Sequence, residues 1–312
     1  KLFKCEKTDS YFTFRKQHLM PFVSSSQKTG LNGLLFRALM LVPGGVLGCG
    51  LIVFSLGLLA FLSLRHNDGS LLGVGFTFDN FATLLSDPLY ARVAGRSLLI
   101  AGLVTATTVV TAYPVAYFLA FHAGRYRSIL LFLVTLPFWT SYLLRVFAWK
   151  IVLAYNGVLN SFLTGTGLLA SPSLAFLNTP AAVVVTLAHA YAPFAILPIF
   201  TALENMPRSL FEAAADLGAR PFATFRRVVL PYSIKGVLAA ATVVFIPTVG
   251  DYVTPALVGG PNSVMIGSLI QVQFGRANDW PFGAALSVSV MALIALVIGL
   301  LRQADRRMEQ AA

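Results

Sequence analysis

The sequence predicts an all-α protein, a polytopic membrane helix bundle of six spans, and three observations carry that. Hydrophobic residues make up 57% of the 312 residues, mean hydropathy is +0.77 and only 11% are charged. That is too little polar surface to cover a water-soluble domain of this length. Apolar stretches of about 20 residues or more, enough to cross a bilayer core, recur six times. The cations cluster on alternate sides of those stretches, as they do in inner-membrane proteins.

Each element follows in order. Residues 1–33 read as a polar, basic cytosolic tail without the apolar core of a cleavable signal peptide. Met20 is a candidate start, which would leave residues 1–19 upstream. The first span is expected at 34–64, with Arg37 at its inner end and Pro43, Gly44, Gly45 and Gly48 permitting a bend or close helix contact. Residues 65–96 form an amphiphilic connection in which Asp79 and Asn80 would cap a short surface helix. The second span is expected at 97–121 and the third at 129–155, joined by the basic turn HAGRYRS, so the two should be antiparallel neighbours.

Residues 156–180 carry no charge and read as an outer loop with a partly inserted segment. The fourth span, 181–203, should bend at Pro193 and Pro198. A polar segment, 204–232, precedes a fifth span at 233–258. An outer loop through Trp280 leads to a sixth span at 282–301, and residues 302–312 form a charged cytosolic tail. With both termini inside, 17 of the 23 Lys and Arg residues fall on the inner side, 4 on the outer side, and Arg145 and Lys150 lie in the third span. That bias puts residues 204–232 in the cytosol. It also accounts for the net charge of +11 through anionic headgroups of the lipid bilayer, with no nucleic-acid partner.

Several chemistries find no support. No G-x-x-x-x-G-K-[ST] loop is present to cradle phosphates. Four histidines and two cysteines are scattered without metal-ligand spacing. Ser and Thr residues in the spans lack an adjacent His–Asp constellation and read as interhelical glue. The chain is therefore not expected to be an enzyme or to carry a catalytic or metal site.

The polar segment is the stretch around which the chain is organised. Ser209 and Glu212 read as an S-x-x-E capping box opening a short helix. Ala213 and Ala214 propagate it, and Gly218 can take the left-handed conformation that ends it. Leu210, Ala214 and Leu217 share one face, while Glu212, Asp216 and Arg220 stay polar. Pro221 suits the first turn of a second short helix reaching about Val229, before Pro231. A helix small and apolar on one side and charged on the other suits another protein's groove.

Asp251, in FIPTVGDYVTPALVGG, is a carboxylate in the outer half of the fifth span, where Pro247, Gly250 and Pro255 would loosen the helix. Two readings stand. Asp251 receives a cationic substrate, with Tyr252, Trp139 and Tyr142 offering aromatic faces; or it pairs with Arg145 at similar depth. Asp279 and Trp280 read as a helix cap and interface anchor or as part of a periplasmic docking surface.

Glu212-Ala213-Ala214, Gly218 after three residues, and Val228, Leu230 and Pro231 after nine more resemble the EAA loop of membrane subunits of bacterial ABC importers, with Val in place of the usual Ile. The runs AYPVAYFLA, LPFWTSYLLRVFAWKIVL, LVGGPNSVMIG and NDWPFGAA are similar to permease subunits of spermidine/putrescine importers, a subfamily that also includes opine and amino-acid importers. The resemblance covers about 76–301. It implies a six-span type I ABC importer transmembrane domain in the bacterial inner membrane, whose 204–232 loop is a coupling helix. It also implies a second homologous permease subunit, a cytoplasmic ABC ATPase dimer that binds ATP and Mg, and a periplasmic substrate-binding protein. Alternating access would follow from ATPase closure pushing on the Ser209–Leu217 helix. A secondary transporter would be expected to show an internal repeat or more intramembrane ionisable groups. A mere scaffold would not need the broken fifth span.

Overall fold

The computed structural model describes residues 48–70 and 73–311. The chain divides into two compact units, residues 1–56 and 57–312. The expected 1–33 tail, Arg37 and the Pro43 to Gly45 bend lie outside the described residues. Gly48–Ser63 form an apolar helix, α1. Among the described residues five longer helices are apolar enough to cross a membrane: Pro88–Phe121, Tyr142–Gly165, Pro180–Glu204, Pro221–Val249 and Trp280–Leu300.

The expected loop 65–96 is more structured than its composition suggested. Strands β1 (Arg65–His66) and β2 (Val74–Phe76) pair antiparallel, and the Arg65 guanidinium sits against the Phe61 and Phe76 rings. Helix α2 (Asp79–Ser86) follows, but neither Asp79 nor Asn80 caps it. Thr77 Oγ1 accepts from the Asp79 N–H, while Asn80 Nδ2 donates to the Ser63 and Arg65 carbonyls and ties α2 to the ribbon.

Helix α3 (Pro88–Phe121) starts nine residues before the expected second span. The Asp87 carboxylate accepts from Leu89 N at 2.8 Å, and Pro88 supplies a preset φ at N1, so the D-P pair is a complete start signal. At about 1.5 Å per residue, α3 exceeds the hydrocarbon thickness, which requires tilt or an overhang.

The stretch expected as one third span is two helices, α4 (Arg127–Thr135) and α5 (Tyr142–Leu153), separated by a tight turn, Leu136–Trp139. The Thr140 N–H and hydroxyl both reach the Pro137 carbonyl, and the chain then runs extended through Thr140 and Ser141. That carbonyl is no longer available to continue the helix. Helix α6 (Val158–Gly165) lies in the expected outer loop.

Helix α7 (Pro180–Glu204) continues through Pro193 and Pro198 and is the hub. Of its most apolar window 56% is buried, against 22–28% for the other long helices. Ala112 and Ala116 of α3, Ala195 and Ile199 of α7, and Ala240 and Val244 of α10 (Leu230–Val249) belong to one buried core. Small residues there let helix axes approach closely, which is how helices associate where lipid is as apolar as they are.

Between α8 (Ser209–Asp216) and α10 the chain passes through α9 (Pro221–Thr224) and a π-helical turn, Phe225–Val229. Pro231 was expected to close a short helix. It sits instead in the first turn of α10, because the wider turn ahead of it shifts the hydrogen-bond register around its missing N–H. Helix α10 ends at Val249, short of the expected 258, with Gly250 at its C-cap and a separate π-helical turn at Pro255–Gly259.

Helices α11 (Ile266–Gly275) and α12 (Trp280–Ala311) complete the fold. Ser97 Oγ on α3 accepts from Ile266 N at 2.7 Å and donates to Val93 O, which fixes the start of α11. Asp279 Oδ1 accepts from Phe282 N at 3.0 Å, the cap read from the sequence.

A Cβ at Gly236 on α10 would lie 2.5 Å from Ala202 Cβ and 2.8 Å from the Pro198 carbonyl oxygen. Neither neighbour is the end of a flexible chain. Gly236→Ala is therefore expected to destabilise the bundle by about 1–3 kcal/mol, read as a lower melting temperature in detergent; an unchanged midpoint would refute the close α7–α10 crossing.

Candidate functional site

Two regions bear the residues singled out in the sequence, one at each end of α10. The first is α8. Leu210 N bonds to Pro207 O, and both Phe211 N and Glu212 N bond to Arg208 O. Proline's fixed φ thus opens the turn ahead of Ser209. Ser209 stands inside the helix, and no side chain caps it, so the expected capping box is not formed.

The other end agrees with the reading of Gly218. Its φ is +70°, its N–H bonds to Ala215 O at 2.8 Å, and Ala219 N bonds to Ala214 O at 3.0 Å. This six-to-one closure satisfies carbonyls the helix leaves open, and glycine enters it without Cβ strain. Arg220 is extended, and Pro221 opens α9.

Ala214 faces the bundle at 6% exposure, but Leu217 is 87% exposed. The expected shared face therefore breaks at Leu217, which is already the C-cap and out of helical phase. Ala213 and Asp216 are exposed too, and Phe222 is 74% exposed, so α8 and α9 present apolar side chains outward.

Behind α8 lies a cavity of about 520 Å³ bounded by Tyr117, Phe121, Arg127, Glu204, Phe211 and Glu212, among others. Arg127 pairs with Glu204, joining the start of α4 to the end of α7, and its guanidinium lies 4.6 Å from the centre of the Phe200 ring.

The second region is the break beyond α10. Asp251 is 8% exposed. Its Oδ2 accepts from the Tyr142 hydroxyl at 2.8 Å, and its Oδ1 from Val253 N at 3.0 Å. An ionised carboxylate only accepts, so the single Tyr142 proton goes to Asp251, and Thr254 Oγ1, 2.6 Å away, donates to Tyr142. The interruption at Gly250 creates this arrangement by freeing the Val253 N–H to face the carboxylate.

The ion pair between Asp251 and Arg145 is not formed. Among the described residues the one ion pair is Arg127 with Glu204. Arg145 Nη1 instead donates to the Ala190 carbonyl at 3.0 Å, in the turn of α7 that Pro193 loosens, and Arg145 Nε is buried without a partner. The guanidinium lies 6.0 Å from the Tyr142 ring centre.

Asp251, Tyr252, Tyr142 and Arg145 nonetheless line one cavity of about 440 Å³, with Phe138, Tyr191 and Phe194 among its walls. Trp139 does not join them; it closes the Leu136–Trp139 turn and is 80% exposed. Tyr252 also borders a second cavity of about 450 Å³ lined by Asn178, Gln271 and Arg276. Sequence reasoning missed Tyr191 and Phe194. Their signal was available: two aromatic residues flanking a proline inside an apolar span, the same kind of interruption that pointed to Asp251. The cavity offers one negative charge, one positive charge and several ring faces, which suits a small charged solute.

Replacing Tyr142 by Phe leaves Asp251 Oδ2 without its donor. A lost bond to a charged group costs about 1.5–3 kcal/mol, so Tyr142→Phe should lower the melting temperature clearly more than Tyr252→Phe, whose ring is 46% exposed. Equal midpoints would refute the bond's structural weight.

Comparison with known proteins gives consistent matches. The family model described as binding-protein-dependent transport system inner membrane component matches residues 112–310. The spermidine/putrescine transport system permease protein PotB of Salmonella typhimurium (strain SL1344) is 38% identical over 78% of this chain and 84% of its own length. The inner membrane ABC transporter permease protein YdcU of Escherichia coli (strain K12) is 36% identical over 82% of this chain and 90% of its own. A solved bacterial ABC transporter involved in import of the acidic polysaccharide alginate superposes with a TM-score of 0.68 at 17% identity, covering 89% of this chain and 98% of that one.

Proposed function

The chain belongs to the family of binding-protein-dependent transport system inner membrane components, and from that premise we propose that it forms half of the translocation path of an ATP-driven polyamine importer. As a permease subunit it is not itself an enzyme. The observation that carries the substrate reading is the buried Asp251 carboxylate, held by two donors and faced by aromatic rings, with no cation paired to it among the described residues. A carboxylate in a membrane interior is costly unless it meets a cation, and an ammonium group of spermidine or putrescine supplies one. The name of the Salmonella relative supports the same class.

The partners in this reading are a second permease subunit, a periplasmic substrate-binding protein and a cytoplasmic ATPase dimer that binds ATP and Mg. Helix α8, with Leu217 and Phe222 exposed beside it, is the docking element. It lies in the cytosol with both termini, in keeping with the Lys and Arg bias. ATPase closure pushes on α8, and the bundle rocks between outward and inward openings.

One observation favours a second reading. Arg145 lines the same cavity as Asp251 without neutralising it, so the chamber presents both charges, as a substrate with an ammonium and a carboxylate would require. An opine or amino-acid importer fits that pattern. Competition of labelled putrescine uptake by unlabelled polyamines against amino acids separates the two.

Glu212→Lys is expected to leave membrane insertion intact while abolishing uptake; unchanged accumulation at equal expression would count against α8 as the docking helix. Asp251→Asn is expected to reduce polyamine uptake by about tenfold or more, the scale of one lost charge-assisted contact, with little effect on complex assembly. Equal loss of assembly and uptake would assign Asp251 a structural role instead.

A further inference from the structure

The rings that connect α8 to the bundle form one continuous seam. Phe211 of α8 meets Phe121 of α3 edge-on, with ring centres 5.3 Å apart. Phe121 meets Tyr117 at 4.9 Å, Tyr117 meets Phe225 of the π-helical turn at 5.9 Å, and Phe225 meets Tyr113 at 5.8 Å. The Tyr113 hydroxyl shares a 2.8 Å hydrogen bond with Ser233 on α10, and Ser233 Oγ donates to the Leu230 carbonyl where the π-helical turn ends. Ser233 is fully buried.

Beside this seam is the cavity of about 520 Å³, walled by three of the same rings, Tyr117, Phe121 and Phe211. A cavity transmits displacement poorly, because a gap of about 0.5–1 Å already forfeits roughly a quarter to a half of a contact's attraction. Edge-to-face ring pairs resist sliding and hold a set geometry. Apart from Ala214 and the covalent chain, a push on α8 therefore reaches α3 and α10 through the rings.

We propose that Phe211, Tyr117 and Phe225 are positioning residues that convert displacement of α8 into joint movement of α3 and α10; this rests on the reading of α8 as the ATPase-docking helix. The π-helical turn is the member of the seam that leads into α10. Its fifth-residue bonding sets Phe225 between two tyrosines one turn apart on α3.

The test uses the full complex, with its ATPase and binding protein, in proteoliposomes, and reads labelled spermidine taken up per ATP hydrolysed alongside ATPase co-purification. Phe211→Ala is expected to keep the ATPase bound and lower uptake per ATP about tenfold. Tyr117→Leu and Phe225→Leu, which keep apolar bulk without a ring, should lower the ratio in the same direction, and Tyr117→Phe should preserve it. Wild-type ratios in all three ring-removing variants, with Glu212→Lys still uncoupled, overturn the seam and leave the docking reading standing. Wild-type ratios and co-purification in every variant, Glu212→Lys included, overturn the docking reading itself. If Phe211→Ala fails to accumulate, the pair Tyr117→Leu and Tyr117→Phe decides: a lower ratio for Leu alone supports the seam, and equal ratios refute it.

Discussion

Backbone amides and carbonyls cannot be left open to hydrocarbon, and the structure of this chain follows from how each helix interruption is paid off by a specific partner. At Pro137 the Thr140 amide and hydroxyl close the turn. At Gly250 the Asp251 carboxylate accepts the Val253 amide. Of these two repairs, one is made by a charged side chain, and Asp251 lines the same cavity as Arg145, which donates to the Ala190 carbonyl on α7. The polar chamber and the broken helix are thus one feature: irregular backbone is stable in a membrane interior only where polar groups meet it, and in the proposed importer those groups are what a charged solute would encounter.

Helix α7 relates the two functional regions. Its Tyr191 and Phe194 wall the chamber, and its last residue, Glu204, pairs with Arg127 beside the cavity behind α8. Between them Ile199 and Leu203 are fully buried in the principal core. Interiors packed this closely move as units and do not deform continuously, so a helix anchored at both regions is suited to carry a rigid-body change from one to the other.

The α8 segment is built differently. Its backbone is closed by local bonds, the turn opened by Pro207 and the Gly218 closure, so its shape depends little on the bundle. Its attachment is narrow, through Ala214, Phe211 and the covalent chain, with a cavity behind. In the proposed function, an element with a narrow footing and exposed apolar tips is what a partner would grip and move as a body.

Much of this was legible in the sequence because the signals were local or compositional. Hydropathy runs long enough to cross a bilayer mark helices wherever they occur, and the EAA spacing with Gly218 marks a helix and its left-handed stop. Asp251 stood out because a carboxylate in an apolar run is rare. Pairing was not legible. The Asp251 partner proved to be Tyr142 and not Arg145, Ser209 lost its capping role to the turn begun at Pro207, and Trp139 left the chamber because the third span breaks before it reaches α5. Sequence alone determined where most of the long apolar helices lie, since each must satisfy its own backbone in lipid, though not where the third and fifth spans break. Tertiary structure alone decided which polar side chains answer the breaks, since that depends on distances between segments that no local pattern encodes.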